Sequence, residues 1–227
     1  MSWRDRAPWD EVEMLKRYFE YVFLFAVLIG FSAARADAYE DFFRALDRDD
    51  APAVSRLLQR GFDVNAPNPQ GQPALTLALQ RGSLKVADLL LTHPELRADA
   101  LNAAGETALM MAALHGHLGP MRRLLERGAR LDSPTGWTAL HYAASGADPG
   151  AVALLVERGV ALDPVSPSGM TPLMMAARWG GEPVVDLLLA RGADASRRHP
   201  GGATLADLAR ASGRERLAER LGRGAPR

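Results

Sequence analysis

The chain has 227 residues, 48% of them hydrophobic, which is enough for one or two domains with a buried core. Its 27 basic residues offset 27 acidic ones, so no global field draws in nucleic acid or an anionic membrane, and a partner must be recognised locally. The absence of cysteine excludes disulfides, thiolate zinc sites and thiol nucleophiles.

The first element is a leader. From Tyr21 to Ala34 the chain reads YVFLFAVLIGFSAA, uncharged and apolar all round, after Lys16 and Arg17 and before Ala36 and Asp37. A basic flank, an apolar run and small residues at Ala34 and Ala36 are the shape of a signal peptide over residues 1–36. Cleavage is expected after Ala36, with Ala38 as a second site because Ala36-Asp37-Ala38 also has small residues at the required spacing. Residues 1–13 carry mixed charge, and Met14 offers a start that leads directly into Lys16 and Arg17, so residues 1–13 read as an over-extended start. The competing reading is an uncleaved anchor, but the uncharged run is well short of the roughly 20 residues that a span needs, and Glu20 limits its extension. Removing residues 1–36 takes away equal numbers of acidic and basic side chains, so the remainder stays neutral.

Residues 37–222 read as one helical array in pairs near 38–70, 71–104, 105–135, 136–168, 169–201 and 202–222, followed by a flexible tail at 223–227. In the first pair Tyr39, Phe42, Phe43 and Leu46 recur at helical spacing, with Val54, Leu57 and Leu58 continuing the core. The second holds GQPALTLALQRGS from Gly71 and VADLLLTHPEL from Val86. Then come GETALMMAALHGH from Gly105, GWTALHYAASGAD from Gly136 and GMTPLMMAARWGG from Gly169, whose starts lie 31 and 33 residues apart. Each is followed by a second apolar helix pattern that ends in Gly128, Gly159 or Gly192. In the last pair Leu217 and Leu221 form a narrow stripe among charged residues, as a terminal cap requires.

The period and the segment Thr138-Ala139-Leu140-His141-Tyr142-Ala143-Ala144 resemble the ankyrin-repeat family, as does Thr171-Pro172-Leu173-Met174-Met175-Ala176-Ala177. The resemblance covers nearly all of residues 38–222 and implies an all-α solenoid of about six stacked helix pairs joined by short hairpin-like loops. Local chemistry agrees with it. Thr107, Thr138 and Thr171 are placed to cap first helices, Pro172 suits a first helical position, and the three glycines suit left-handed helix ends. Ser145-Gly146-Ala147-Asp148 puts alanine where the neighbouring copies have Gly116 and Gly180, which predicts a reshaped turn. Thr92-His93-Pro94-Glu95-Leu96 replaces a glycine cap and lengthens the next connection, either as a recognition loop or as tolerated variation.

No phosphate loop, nucleophile elbow or metal-ligand spacing is present in the sequence, so no catalytic residue, metal or cofactor is expected, and the reading is not that of an enzyme. The pair His115 and His117 lacks a third ligand in the pattern and reads as structural, and His141 is expected to bond the Thr138 region and the backbone of the turn. What the resemblance implies is a rigid concave surface that binds a protein, with specificity at positions the repeat leaves free. By register these include Gln72, Glu106, Trp137 and Met170 at hairpin tips and Arg81, His115, Arg178 and Trp179 at first-helix ends. Each tryptophan has two readings, a hot spot facing the partner or a ring folded over the neighbouring repeat. Tyr142, Met111 and Met175 are expected in the core. The expected partner is a protein, with no nucleic acid or small-molecule substrate, and the membrane is involved only through the N-terminal segment if it stays uncleaved. A monomer is expected. So is a periplasmic location in a Gram-negative bacterium, with an inner-membrane anchor facing the periplasm as the alternative; exported bacterial relatives imply an inhibitor of a specific enzyme or a stress-defence factor as narrower functions.

Overall fold

The computed structural model describes residues 37–223, so the leader assigned to residues 1–36 and the tail residues 224–227 lie outside the described residues. The chain divides into two compact units, Met1–Arg44 and Ala45–Arg227. In the first, the described residues are helical, and the Phe43 ring packs on Tyr39 at 5.0 Å and edge-on to Phe42 at 5.2 Å. On its polar side Arg44 bonds Asp41 at 2.8 Å.

Residues 37–47 are labelled α1 and the rest follow in order. They are α2 Ala51–Gln59, α3 Ala74–Arg81, α4 Leu84–Thr92, α5 Ala108–Leu114, α6 Leu118–Glu126, α7 Ala139–Ser145, α8 Pro149–Glu157, α9 Pro172–Arg178, α10 Glu182–Ala190, α11 Leu205–Ala211 and α12 Glu215–Gly222. All are α-helices, and the only β pairing among the described residues is two isolated antiparallel bridges, Pro67 with Pro73 and Asp132 with Thr138. None of these helices is long and apolar enough to cross a membrane.

Within the second unit α3, α5, α7, α9 and α11 pack side by side as a first-helix row, and α2, α4, α6, α8 and α10 as a second-helix row behind it. Each first helix has only seven or eight residues, too short to persist alone, so tertiary packing holds it. The alanine pairs make that packing close: Ala112, Ala113, Ala143, Ala144, Ala176 and Ala177 are all buried. Leu109, Met110, Leu124, Leu140, Leu155, Leu173 and Met174 fill the space between rows, each contributing about 1.5–3 kcal/mol through the area it removes from water.

The expected caps are present. Thr107, Thr138 and Thr171 accept from the backbone N–H groups of Met110, His141 and Met174, and Thr204 does the same for Asp207. Gly128, Gly159 and Gly192 lie at φ 77°, 76° and 90°, each just past the end of a second helix. Five hairpins repeat one bond pattern, in which the tip is closed by Asn68, Asn102, Ser133, Ser166 or His199. The Asn102 N–H donates to the Glu106 carbonyl at 3.0 Å, and its Oδ1 accepts from the N–H groups of Ala104 and Glu106 at 3.0 and 2.9 Å.

Three side chains staple a later copy to the one before it. The His117 Nε2 donates to the Leu79 carbonyl at 3.1 Å. Arg127 donates to the carbonyls of Leu91 and His93 at 3.1 and 3.0 Å, and Arg214 to those of Ala176 and Ala177 at 2.8 and 2.9 Å. These bonds add donors to carbonyls at or just past the helix ends, where intrahelical donors run out. Arg127 thereby closes the end of α4 where the sequence lacks the glycine cap.

The turn after α7 is reshaped as expected. Gly146 is extended, at ψ 176°, where His115 and Trp179 at the same register have ψ 1° and −25°. The following turn lies directly on it, with the Gly181 N–H donating to the Gly146 carbonyl at 3.2 Å. Gly180 leaves no room for a side chain, because a Cβ there would sit 2.2 Å from the Ala144 carbonyl oxygen.

Candidate functional site

The tips of the hairpins and the C-terminal ends of the first helices form two rows of side chains at repeating register. In the tip row, Gln72 is half-buried and bonded on both sides: Asn68 Nδ2 donates to its Oε1 at 3.0 Å and its Nε2 donates to Gln80 Oε1 at 3.2 Å. Glu106 accepts from Asn102 Nδ2 at 2.7 Å and from the Tyr142 hydroxyl at 2.9 Å. Trp137 is half-buried, with its ring edge-on to His141 at 5.5 Å and to Tyr142 at 6.0 Å. The structure thus joins Glu106, Tyr142 and Trp137 into one cluster across two repeats.

Two expectations are corrected here. Register places Met170 in the free tip row, but its side chain is buried at 2% exposure, because an unbranched apolar chain packs into the gap between repeats. What Met170 offers is its carbonyl, which accepts from His141 Nε2 at 3.1 Å. Tyr142 was assigned to the core with Met111 and Met175; the methionines are buried, whereas Tyr142 is half-buried because its hydroxyl needs a polar partner and finds Glu106. Burial, then the bond and charge of Glu106, push the Tyr142 phenol up from its ordinary value.

In the second row, Arg81 is ion-paired with Asp47. His115 is exposed, and its ring stacks on His117 at 5.6 Å. Burial holds His117 below the ordinary histidine value, the neighbouring His115 lowers it further, and the bond to the Leu79 carbonyl opposes both. The Arg178 guanidinium lies 4.6 Å over the Trp179 ring, and Trp179 is 53% exposed. Of the two tryptophans, Trp137 therefore leans on its own repeat and Trp179 faces solvent.

Chemically, these groups are arranged for contact. His141 is enclosed, with Nδ1 accepting from the Thr138 N–H at 3.2 Å and Nε2 donating to Met170, so both ring nitrogens are committed. Burial pushes its pKa down, opposed by the bond to the Met170 carbonyl. Among the described residues no group of three or more His, Asp or Glu side chains is gathered as a metal ion would need. A cleft of about 570 Å³ opens between the loops at Ala129–Asp132 and Gly159–Pro164, over Thr138 and Leu140, but the Thr138 hydroxyl in it is already spent as a helix cap. Sequence reasoning missed this cleft, the tip-closing residues and the staples; the shorter spacing between Gly105 and Gly136 was the one available sign of an altered connection near the cleft.

A family model described as Ankyrin repeats (3 copies) matches residues 42–135 and 121–199. The chain belongs to the ankyrin-repeat family. Ankyrin repeats are protein–protein interaction modules, and the fold is typically non-catalytic. Two solved bacterial structures are similar to this ankyrin-repeat chain. One is an ankyrin repeat domain from Acinetobacter baumannii, at TM-score 0.64 and 26% identity, covering 80% of this chain and 97% of that one. The other is a chain in the structure of a predatory endopeptidase from Bdellovibrio bacteriovorus in complex with an immunity protein, at TM-score 0.68 and 25% identity, covering 81% and 97%. Among curated relatives, a probable E3 ubiquitin-protein ligase of Oryza sativa subsp. japonica is 35% identical over 51% of this chain, which spans only 27% of the ligase's length. A Notch-regulated ankyrin repeat-containing protein of Danio rerio is 35% identical over 36% of this chain and 78% of its own length.

Proposed function

We propose that the chain is an exported interaction module that binds a protein partner through its concave face, formed by the hairpin tips and the first-helix ends. The observation that carries this reading is Trp179, an indole left 53% exposed on a rigid helix row, where leaving it in water is costly without a partner. Gln72, Glu106 and Trp137 extend the contact along the tips, and Arg81, His115 and Arg178 along the helix ends. Export is supported by the basic flank and apolar run before Ala36.

The test is crosslinking in the periplasm, identification of the partner, and binding measured with the purified full chain. Affinity should collapse on Trp137→Ala plus Trp179→Ala; unchanged affinity removes the concave face from the interface. The exported chain should begin at Asp37. A chain that keeps residues 14–36 and stays with membranes after a salt wash replaces the soluble reading with an anchored one.

The second reading is an immunity-type inhibitor of one enzyme. It is favoured by the likeness to a chain from the endopeptidase–immunity protein structure. It requires that the crosslinked partner be an enzyme and that stoichiometric chain abolish its turnover.

A further inference from the structure

We propose that Arg178 and Trp179 form the specificity point of the interaction face, and that they take an acidic side chain adjacent to a bulky apolar one on the partner protein. This rests on the reading of the chain as an interaction module.

Trp179 stands uncovered because its neighbours are small. At the same register the preceding repeat has Gly146 and the following one Ser212, while Ser145 and Ala211 flank Arg178. A large ring between two low rungs leaves a shelf on either side where an apolar side chain removes both its own surface and indole surface from water.

Arg178 is a cation without a role inside the molecule. An arginine in the last turn of a helix ordinarily compensates the carbonyl ends. At α9 Arg214 already does so, through the carbonyls of Ala176 and Ala177 at 2.8 and 2.9 Å. Arg178 forms no ion pair among the described residues and instead packs over the Trp179 ring at 4.6 Å. Stacking restricts the guanidinium before any partner arrives, so less side-chain freedom is lost when a carboxylate binds its donors.

Along the helix-end row the charge has one sign. No Asp or Glu occupies either of the last two first-helix positions of the five repeats from α3 to α11; Arg81, His115 and Arg178 stand there instead. Arg81 is taken by Asp47, which leaves Arg178 as the group that attracts a carboxylate. A phosphate polymer or an anionic membrane is disfavoured, because a single unpaired arginine in this row of a neutral chain gives no extended positive field.

The test is selection of random peptides on the full chain, followed by affinity measurement against Arg178→Glu and Trp179→Ala. Trp179 is exposed and Arg178 half-buried, and thermal melts confirm that each variant folds. Selected peptides should carry Asp or Glu next to Leu, Ile, Phe, Tyr or Trp. Binding should fall at least tenfold in either variant, and a peptide with that acid changed to Lys should bind Arg178→Glu better than it binds the parent chain. Failure to enrich, enrichment of uncharged or basic sequences, or equal binding by the variants overturns the proposal. Peptides that ignore both variants but are lost on Trp137→Ala sink this specificity point and leave the concave-face reading standing; peptides indifferent to all three substitutions sink both. A concentration-dependent dimer in sedimentation that Arg178→Glu abolishes assigns the point to a second copy and also overturns the proposal.

Discussion

His141→Met isolates the energetic role of the buried imidazole. The side chain is at 0% exposure and uses Nδ1 to accept from Thr138 and Nε2 to donate to Met170. Methionine fits this register, since Met110 and Met174 hold the same position in the adjacent repeats and are themselves buried. The variant loses the imidazole's bonds to the Thr138 N–H, the Thr138 hydroxyl and the Met170 carbonyl, but that carbonyl keeps the Ser166 N–H at 2.9 Å, so the cost at pH 7.5 is about 1–2 kcal/mol. The pH dependence then separates the two proteins. Because burial depresses the folded-state pKa of His141, its stabilisation is present above the unfolded histidine value and is lost as pH falls toward the folded one. Each pH unit below about 6.5 costs the parent protein up to about 1.4 kcal/mol that the variant does not lose. Urea unfolding at pH 7.5 and pH 5 should therefore show the stability gap shrinking at the lower pH. His117, also depressed, is common to both proteins and cancels. A gap that is the same at both pH values refutes the argument.

Thr76 occupies the position that His141 holds two repeats later, but Pro73 precedes it where Thr138 precedes His141, and its Oγ1 is buried without a partner. Thr76→Val should stabilise by about 1–2 kcal/mol, seen by calorimetry as a rise of a few degrees; a fall means the hydroxyl has a bond after all. Gly180→Ala drives a Cβ against backbone at Ala144 and should cost about 2–3 kcal/mol or more, whereas Gly119→Ala, in open space within α6, should gain about 0.5–1 kcal/mol; equal urea midpoints for the two variants contradict the close-approach account. Arg127→Ala removes two bonds at the end of α4 and should cost about 1–3 kcal/mol, with faster amide exchange concentrated at residues 88–93; uniform acceleration means that the staple is not local.

What was legible in the sequence was whatever local chemistry encodes. A threonine three residues before a helical N–H announces a cap, and a glycine after the last apolar turn announces a left-handed end, so Thr107, Thr138, Thr171, Gly128, Gly159 and Gly192 were found. Register gave the position of the candidate site residues but not the direction of their side chains. Met170 and Trp137 share a row, yet one packs inward and the other stays half-exposed against Tyr142. Tyr142 followed its hydroxyl rather than its ring. The staples from His117, Arg127 and Arg214 were invisible because each links residues 34 to 38 positions apart, where no short spacing records the pairing.

Those staples also impose an order in time. In each, the donor is synthesised after the acceptor: Leu79 waits for His117, Leu91 and His93 for Arg127, and Ala176 and Ala177 for Arg214. A chain emerging from its N-terminus therefore cannot close the end of one copy until most of the next has appeared. Along the growing array the last copy made is always the least finished.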